Sequence, residues 1–329
     1  MRVLLTKGRI DQEAEATFAR ELTHLRRKPP YYFFSWIMRE LEPACRAQGW
    51  NVDVLSIGKP VPQRLPRPDV LVNLISEPLV CRRSLERLDV VVREGELKVI
   101  NSVDATLRSA RTALSGVFAA SGVANARAPL TTRFTGALDG LPEHIEASGH
   151  RWPVLVRPSG THGSKGLKKI DDPEALPVSD TAKCDLLVSE FVDFRSGDGL
   201  YRKYRMIWAD GTIFRRHVIT ATNWNITGPA RVDMVDRPET ITAEKEFLAS
   251  SGDALDERIA DLFRIVGLDF GVIDFAVLDS GEIIVFELNG TFQISRSIRP
   301  EVQERWGYLE ANNEAIVNAI VASIARRGM

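Results

Sequence analysis

Asp274, Glu287 and Asn289 flank a short turn near the end of the chain, and their spacing could hold a metal ion. Val272–Leu278 is apolar apart from Asp274, Ile283–Leu288 is apolar apart from Glu287, and Asp279-Ser280-Gly281-Glu282 lies between them. This pattern predicts a β-hairpin. A two-residue Ser280-Gly281 loop pairs Asp279 with Glu282, and a four-residue loop pairs Leu278 with Ile283. Either register sets Asp274 directly opposite Glu287, at a non-hydrogen-bonded pair where side chains come closest. Asn289 follows two residues on along the same face. Like charges opposed across a sheet are destabilising, and carboxylates among apolar neighbours are costly unless something compensates them. A divalent cation would do so, and two carboxylates with an amide suit Mg²⁺, which completes its octahedron with substrate phosphates. Protonation of one carboxylate, or a distant Arg, is the alternative compensation.

A second hairpin carries the opposite charge. Asp210-Gly211 reads as a two-residue turn. Pairing outward from Ala209 and Thr212 sets Arg205 opposite Arg216, with Lys203 on the same face. Facing cations are tolerable when they share an anion, and a solvated basic face is the plainer alternative. Between these hairpins and the N-terminus, Val154-Leu155-Val156-Arg157-Pro158 leads into a loop holding Gly160, His162, Gly163, Ser164 and Gly166. Leu167–Ile170 then reads as a returning strand. Glycines let backbone N–H groups converge on an anion, so such a loop can fold over a triphosphate, although glycine loops often merely turn. The spacing is not that of a P-loop, and no GxGxxG occurs. No Ser-His-Asp or Cys-His set supplies a side-chain nucleophile.

The elements that must position these groups follow from patterning. Val3–Leu5, Val52–Ile57 and Asp69–Ile75 read as strands, with a helix from Tyr31 to about Gln48 stopped by Gly49. Strands alternating with helices imply a small parallel α/β sheet over residues 1–105. Ligands bind at the carboxyl ends of such strands, which makes Asn73, Ser76, Glu77, Arg82 and Arg83 substrate-contact candidates, with capping and solvated charge as the alternative. The aromatic run Tyr31–Trp36 either caps a core or marks a partner surface. Beyond it we expect a helix over Ala105–Ser121, a linker to Phe134, a strand Leu186–Asp193, and helices over Ala254–Val266 and Ala311–Ala325. A chain of 329 residues suggests two or three domains, and 44% hydrophobic residues can fill their cores. The formal charge of −1 makes no electrostatic case for nucleic acid or membrane as partner. Cys45, Cys81 and Cys184 lack CxxC spacing and read as free thiols. The apolar run at Val3–Leu5 is too short for a signal peptide, and no stretch nears the roughly 20 apolar residues of a membrane span. A cytoplasmic protein is expected.

An α/β first domain, a glycine loop between strands, a strand ending in Glu, a basic hairpin and an Asp…Glu-x-Asn hairpin occur in one order. That order resembles the ATP-grasp superfamily of carboxylate–amine ligases, over roughly residues 100–325. VIDFAVLDSGEIIVFELNG is its most specific segment, and the glutathione synthetase and ribosomal-protein glutamate ligase branch is the nearest in pattern. The resemblance implies an α/β and α+β chain: an N-terminal Rossmann-like pre-ATP-grasp domain (1–105), a central ATP-grasp subdomain with the glycine loop (106–192), and a C-terminal subdomain with the metal site (193–329). It implies ATP between the two subdomains and two Mg²⁺ ions, replaceable by Mn²⁺, on Asp274, Glu287 and Asn289, with Glu287 bridging. Arg157 and Arg111 stand where many members have phosphate-contacting lysines; some members related to carbamoyl-phosphate synthetase also carry Arg there. Gly160, His162, Gly163, Ser164 and Gly166 match the flexible phosphate loop. Glu190, Phe191 and Val192 match the hinge whose backbone reads adenine, Asp193 or Asp198 would hold the ribose, and Lys203 joins the nucleotide contacts. Arg205 and Arg216 look like arginines that face phosphates and carboxylate during catalysis. Val272 departs from the D-alanine–D-alanine ligase pattern, which has Arg two residues before the metal Asp. The implied activity joins a small-molecule or peptide carboxylate to an amine through an acyl-phosphate, releasing ADP and phosphate. A kinase of the same fold and an ATP-binding sensor are the alternatives, and a homodimer is compatible with the chain.

Overall fold

The computed structural model describes residues 1–8, 11, 37–57, 67–75, 77–161, 163–176, 183–294 and 304–329. Three sheets organise these residues. The first contains β1 (Arg2–Lys7), β2 (Asn51–Ser56), β3 (Val70–Asn73) and β4 (Val99–Ile100), all parallel, in the order β2-β1-β3-β4. Successive side chains of a strand point to opposite faces, so its apolar runs feed two cores. Val3, Leu5, Val70 and Val72 pack with the helices Met38–Ala47 and Asn313–Gly328. Leu4 and Leu71 pack with Leu85 and Leu88 of the helix Arg82–Glu94 on the other side. The last helix of the chain therefore completes the first sheet, and the same core takes in Ile207, Phe270 and Val272 of the C-terminal sheet.

The second sheet is antiparallel, with β6 (Thr131–Ala137), β7 (Val154–Pro158), β8 (Lys168–Ile170) and β9 (Lys183–Glu190) in the order β6-β9-β7-β8. The helix Leu141–Ala147 covers one face, burying Leu141 and Ile145 against Phe134, Val154, Leu186 and Val188. The third holds β5 (Ala126–Arg127), β10 (Tyr201–Ala209), β11 (Thr212–Ala221), β12 (Phe270–Val277) and β13 (Ile283–Asn289), ordered β11-β10-β12-β13-β5. Its helix Ala254–Val266 begins where the Asp253 carboxylate accepts from the N–H groups of Leu255 and Asp256, and stops at Gly267 in the left-handed region. Ile259, Leu262, Phe263 and Val266 fill the groove between this helix, β12 and β13.

Several expectations need correction. Residues 105–121 are not one helix but two, Val103–Arg108 and Arg111–Ser121, broken where Ala110 takes an extended ψ of 138°. The expected linker to Phe134 contains β5 and most of β6, paired over its whole length with β9. Asn73 is committed within the fold: its buried amide donates to Asn101 O and Thr106 Oγ1, both at 3.0 Å. The helix after it starts at Arg82 on Cys81, with no side-chain cap, and Ser76 lies outside the described residues, as do Arg26–Pro30 and Tyr31–Trp36. Asn101, buried at φ 57°, ties the first sheet to the acidic hairpin. Its Nδ2 donates to Phe270 O and Gly290 O, and its Oδ1 accepts from the N–H groups of Asp269 and Phe270. Among the described residues no helix is long and apolar enough to cross a membrane.

Candidate functional site

A cavity of about 840 Å³ opens between the second and third sheets. Arg111, Arg157, Gly163, Ser164, Glu190, Phe191, Val192, Lys203, Arg205, Arg216, Asp274, Glu287 and Asn289 line it, so most of the predicted site residues meet in one place. Cationic side chains outnumber carboxylates along its described walls, which favours an anionic ligand.

The acidic hairpin reaches the expected pairing by a different route. Its loop is three residues long: Gly281 N–H donates to Leu278 O, Leu278 N–H donates to Glu282 O, and Gly281 sits at φ 82°. Val277, not Leu278, therefore faces Ile283. A β-bulge then gives β13 one extra residue, Phe286, between the partners of Phe275 and Asp274. The shift cancels the first error, and Asp274 faces Glu287. Phe286 and Glu287 both line the cavity as a result.

The basic hairpin departs from expectation. It turns at Asp210-Gly211 with Ala209 opposite Thr212, but a bulge at Arg216 shifts the remainder. Arg205 lies opposite His217, not Arg216, so the expected facing pair of arginines does not form. Arg205 instead sits beside Asp274 on β12. Arg216 reaches the cavity wall while its guanidinium donates to Ile294 O at 2.5 Å, Leu309 O and Asn312 Oδ1.

Cations answer both carboxylates. Arg205 grips Asp274 with two bonds, Nε to Oδ1 at 2.5 Å and Nη2 to Oδ2 at 2.8 Å, and Lys203 Nζ lies 3.7 Å from Oδ2. Arg111 Nη2 is 2.6 Å from Glu287 Oε1, which also accepts from Asn289 Nδ2. Burial works against the charge on Arg205, but the attraction of Asp274 outweighs it and holds that guanidinium above its usual value. Burial prevails at Lys203 and lowers its ammonium. It also prevails at Arg157, which with help from neighbouring Arg111 is pushed down to about 10. Arg157 donates to a neutral residue: its Nε and Nη2 both donate to Thr161 Oγ1 at 3.1 Å, and Nη2 also donates to Thr161 O.

The loop after β7 carries left-handed backbone at Gly160, Gly163, Ser164 and Gly166, with Gly163 and Ser164 at the cavity; His162 lies outside the described residues. A Cβ on Gly166 would stand 2.8 Å from Pro158 Cδ, whereas one on Gly163 meets nothing within 4 Å. Gly166→Ala should therefore cost about 1–2 kcal/mol through left-handed strain and then more through the clash, and Gly163→Ala only the strain. Thermal melts of the two variants should rank them in that order.

At the hinge, the ladder of β9 ends at Glu190, leaving Phe191 and Val192 to edge the cavity. The Glu190 carboxylate accepts from Arg127 Nη1 at 2.9 Å and from Leu130 N–H. The ribose candidates are not brought to the cavity wall. Asp193 pairs with Arg195 at 2.9 Å, Asp198 pairs with Arg202, and hydrogen bonds from those guanidiniums hold both carboxyls low, Asp198 at about 2. Arg82 pairs with Glu86 on its own helix and also stays off the wall. Sequence reasoning missed Phe286 and His217 as wall residues, since only the bulges turn them inward. Trp224 also lines the wall, and its ring packs edge-on to Phe191 at 5.7 Å.

Among the described residues no three His, Cys, Asp or Glu side chains cluster as a metal nest. The donors present are two hard carboxylates face to face with an amide alongside, which fits Mg²⁺ or Mn²⁺ completed by phosphate oxygens.

No protein-family model matches the chain, and no curated protein sequence matches it. Solved structures do. The D-Ala:D-Ser ligase VanG from Enterococcus faecalis shares 12% identity over 100% of this chain and 99% of its own, with a TM-score of 0.52. The ATP-grasp ligase PsnB, complexed with a minimal precursor, shares 11% identity over 99% of each chain, with a TM-score of 0.51. The D-alanine-D-alanine ligase from Coxiella burnetii shares 12% identity over 100% of this chain and 96% of its own, with a TM-score of 0.50. At such identities the likeness speaks for the fold: the chain has the ATP-grasp fold over nearly its whole length.

Proposed function

We propose that this protein is an ATP- and Mg²⁺-dependent ligase that joins a carboxylate to an amine, forming ADP through an acyl-phosphate. One observation carries the reading. Arg111, Arg157, Lys203 and Arg205 converge with the opposed Asp274–Glu287 pair on one cavity wall, as handling of a metal-bound triphosphate requires. The structural neighbours are ligases, which supports the same class.

In this reading the edge at Phe191 and Val192 takes the adenine, with Phe286 and Trp224 as apolar walls. Arg157 and Arg111 bind the phosphates, whose oxygens suit the planar fork of a guanidinium. Asp274, Glu287 and Asn289 would hold Mg²⁺, which when bound supplies charge neutralisation at the transferring phosphoryl group. A carboxylate oxygen of the first substrate attacks the γ-phosphorus as the bond to ADP breaks. Arg205, beside Asp274, is placed to balance the charge that develops. The amine then attacks the acyl carbon, phosphate leaves, and the amine proton is lost to water or phosphate. The Gly160–Gly166 loop excludes water from the acyl-phosphate. The substrates are a small-molecule or peptide carboxylate and an amine.

Incubation with ATP, Mg²⁺, a pool of carboxylates and hydroxylamine in place of the amine tests this. We expect ADP and a hydroxamate to accumulate together. ADP formed only with an alcohol, giving a stable phosphate ester and no hydroxamate from any carboxylate, would make the protein a kinase.

A further inference from the structure

Resting on that reading, we propose that Arg111 and Arg205 are built-in countercharges that close the metal site. The divalent cation then enters only with the nucleotide that draws them away. The geometry is specific. Both oxygens of Asp274, whose side chain is 7% exposed, are taken by the Arg205 fork, with Lys203 close behind. On the other strand, Glu287 Oε1 accepts from Asn289 Nδ2 and lies 2.6 Å from Arg111 Nη2. Both oxygens of Asp274 and Oε1 of Glu287 are thus held by cations and an amide of the protein itself.

Charge balance points the same way. Arg111, Arg157, Lys203 and Arg205 act together on Asp274, Glu287 and the buried Glu77, so the ligand-free pocket is already positive. A dication arriving alone would add two charges of the same sign where water screens little. A triphosphate reverses that balance. It offers the guanidiniums oxygens with the same bidentate geometry as the carboxylates they leave. The arginines change partner, and the carboxylates are released to the cation that arrives with the triphosphate. Two opposed carboxylates without such guards would hold Mg²⁺ or Mn²⁺ more tightly in the absence of nucleotide than the guarded pair does.

Mn²⁺ is the probe, with free Mn²⁺ followed by its electron paramagnetic resonance signal in titrations of the full chain. We expect the nucleotide-free wild type to bind Mn²⁺ at least tenfold more weakly than Arg205→Met does under the same conditions. Arg111→Met should show a gain in the same direction, which covers the case that one variant fails to fold. Adding Asp274→Asn to Arg205→Met should remove the gain and so locate it. In thermal melts without nucleotide, Mn²⁺ should raise the melting temperature of Arg205→Met and leave the wild type unchanged. Wild-type Mn²⁺ affinity equal to that of both variants would overturn the proposal. Calorimetry with a non-hydrolysable ATP analogue keeps the two ideas apart. Absence of nucleotide binding with or without Mn²⁺ would sink the ligase reading, whereas the Mn²⁺ gain in nucleotide-free variants stands or falls independently.

Discussion

Glu287→Gln is expected to cut ADP formation at saturating ATP and Mg²⁺ by at least about a thousandfold, because the metal loses a carboxylate and the transferring phosphoryl group loses its neutralising charge. The same substitution should lower the stability of the ligand-free protein. Arg111, with its side chain only 12% exposed, has Glu287 Oε1 at 2.6 Å. Gln keeps the shape but leaves a buried guanidinium facing a neutral amide, and breaking a buried ion pair from one side costs about 3 kcal/mol. Reasoning from the hairpin alone gives the opposite sign, since relief of like-charge repulsion between Asp274 and Glu287 would return about 0.2–1 kcal/mol. The guanidiniums decide the matter: Arg205 lies 2.5 Å from Asp274 Oδ1 and Arg111 2.6 Å from Glu287 Oε1. Steady-state kinetics and a thermal melt of one purified variant check both halves. Turnover near wild type would remove the carboxylate pair from the chemistry, and a raised melting temperature would remove the Arg111 pair from the energetics.

That reversal shows what the sequence could carry. Two apolar runs and the turn between them were enough to place Asp274 and Glu287 opposite each other. They were not enough to show the three-residue loop and the Phe286 bulge that cancel to produce the pairing. The same kind of irregularity at Arg216 does not cancel, and there the inferred register failed. A bulge costs one unpaired residue and leaves no mark in a period-two pattern, so neither could be read from alternation. The helix Ala254–Val266 was fully legible because apolar spacing, an Asp cap and a terminal Gly agree. β4 and β5, at two residues each, are too short for any periodicity to show. The ion partners were the hardest part. Arg205 meets Asp274 through the pairing of β10 with β12, and Arg111 meets Glu287 because the chain breaks at Ala110 and starts a new helix. Both contacts are products of tertiary packing, and local sequence holds no trace of them.

Arg157 and Arg216, which sequence reasoning gave neighbouring roles, should behave as opposites when removed. Arg157 is a half-buried cation whose hydrogen bonds run to Thr161, and burial together with Arg111 pushes it down to about 10. The ligand-free fold bears that charge at a cost, so Arg157→Ala should leave its melting temperature unchanged or higher. Binding is where the loss falls. A guanidinium forked onto phosphate in a water-poor site is worth about 2–3 kcal/mol, so affinity for a non-hydrolysable ATP analogue should drop by about a hundredfold. Arg216 holds Ile294 O, Leu309 O and Asn312 Oδ1, joining the end of the acidic hairpin to the approach of the last helix. Arg216→Ala should strand those buried carbonyls and lower the melting temperature, and its nucleotide affinity should fall by less than that of Arg157→Ala. A purely kinetic effect at Arg216, the outcome expected had it faced Arg205 across an anion, does not follow from where the bulge puts it. Calorimetry paired with melts of both variants separates the roles. Equal losses of nucleotide affinity, or a less stable Arg157→Ala than Arg216→Ala, would refute the division.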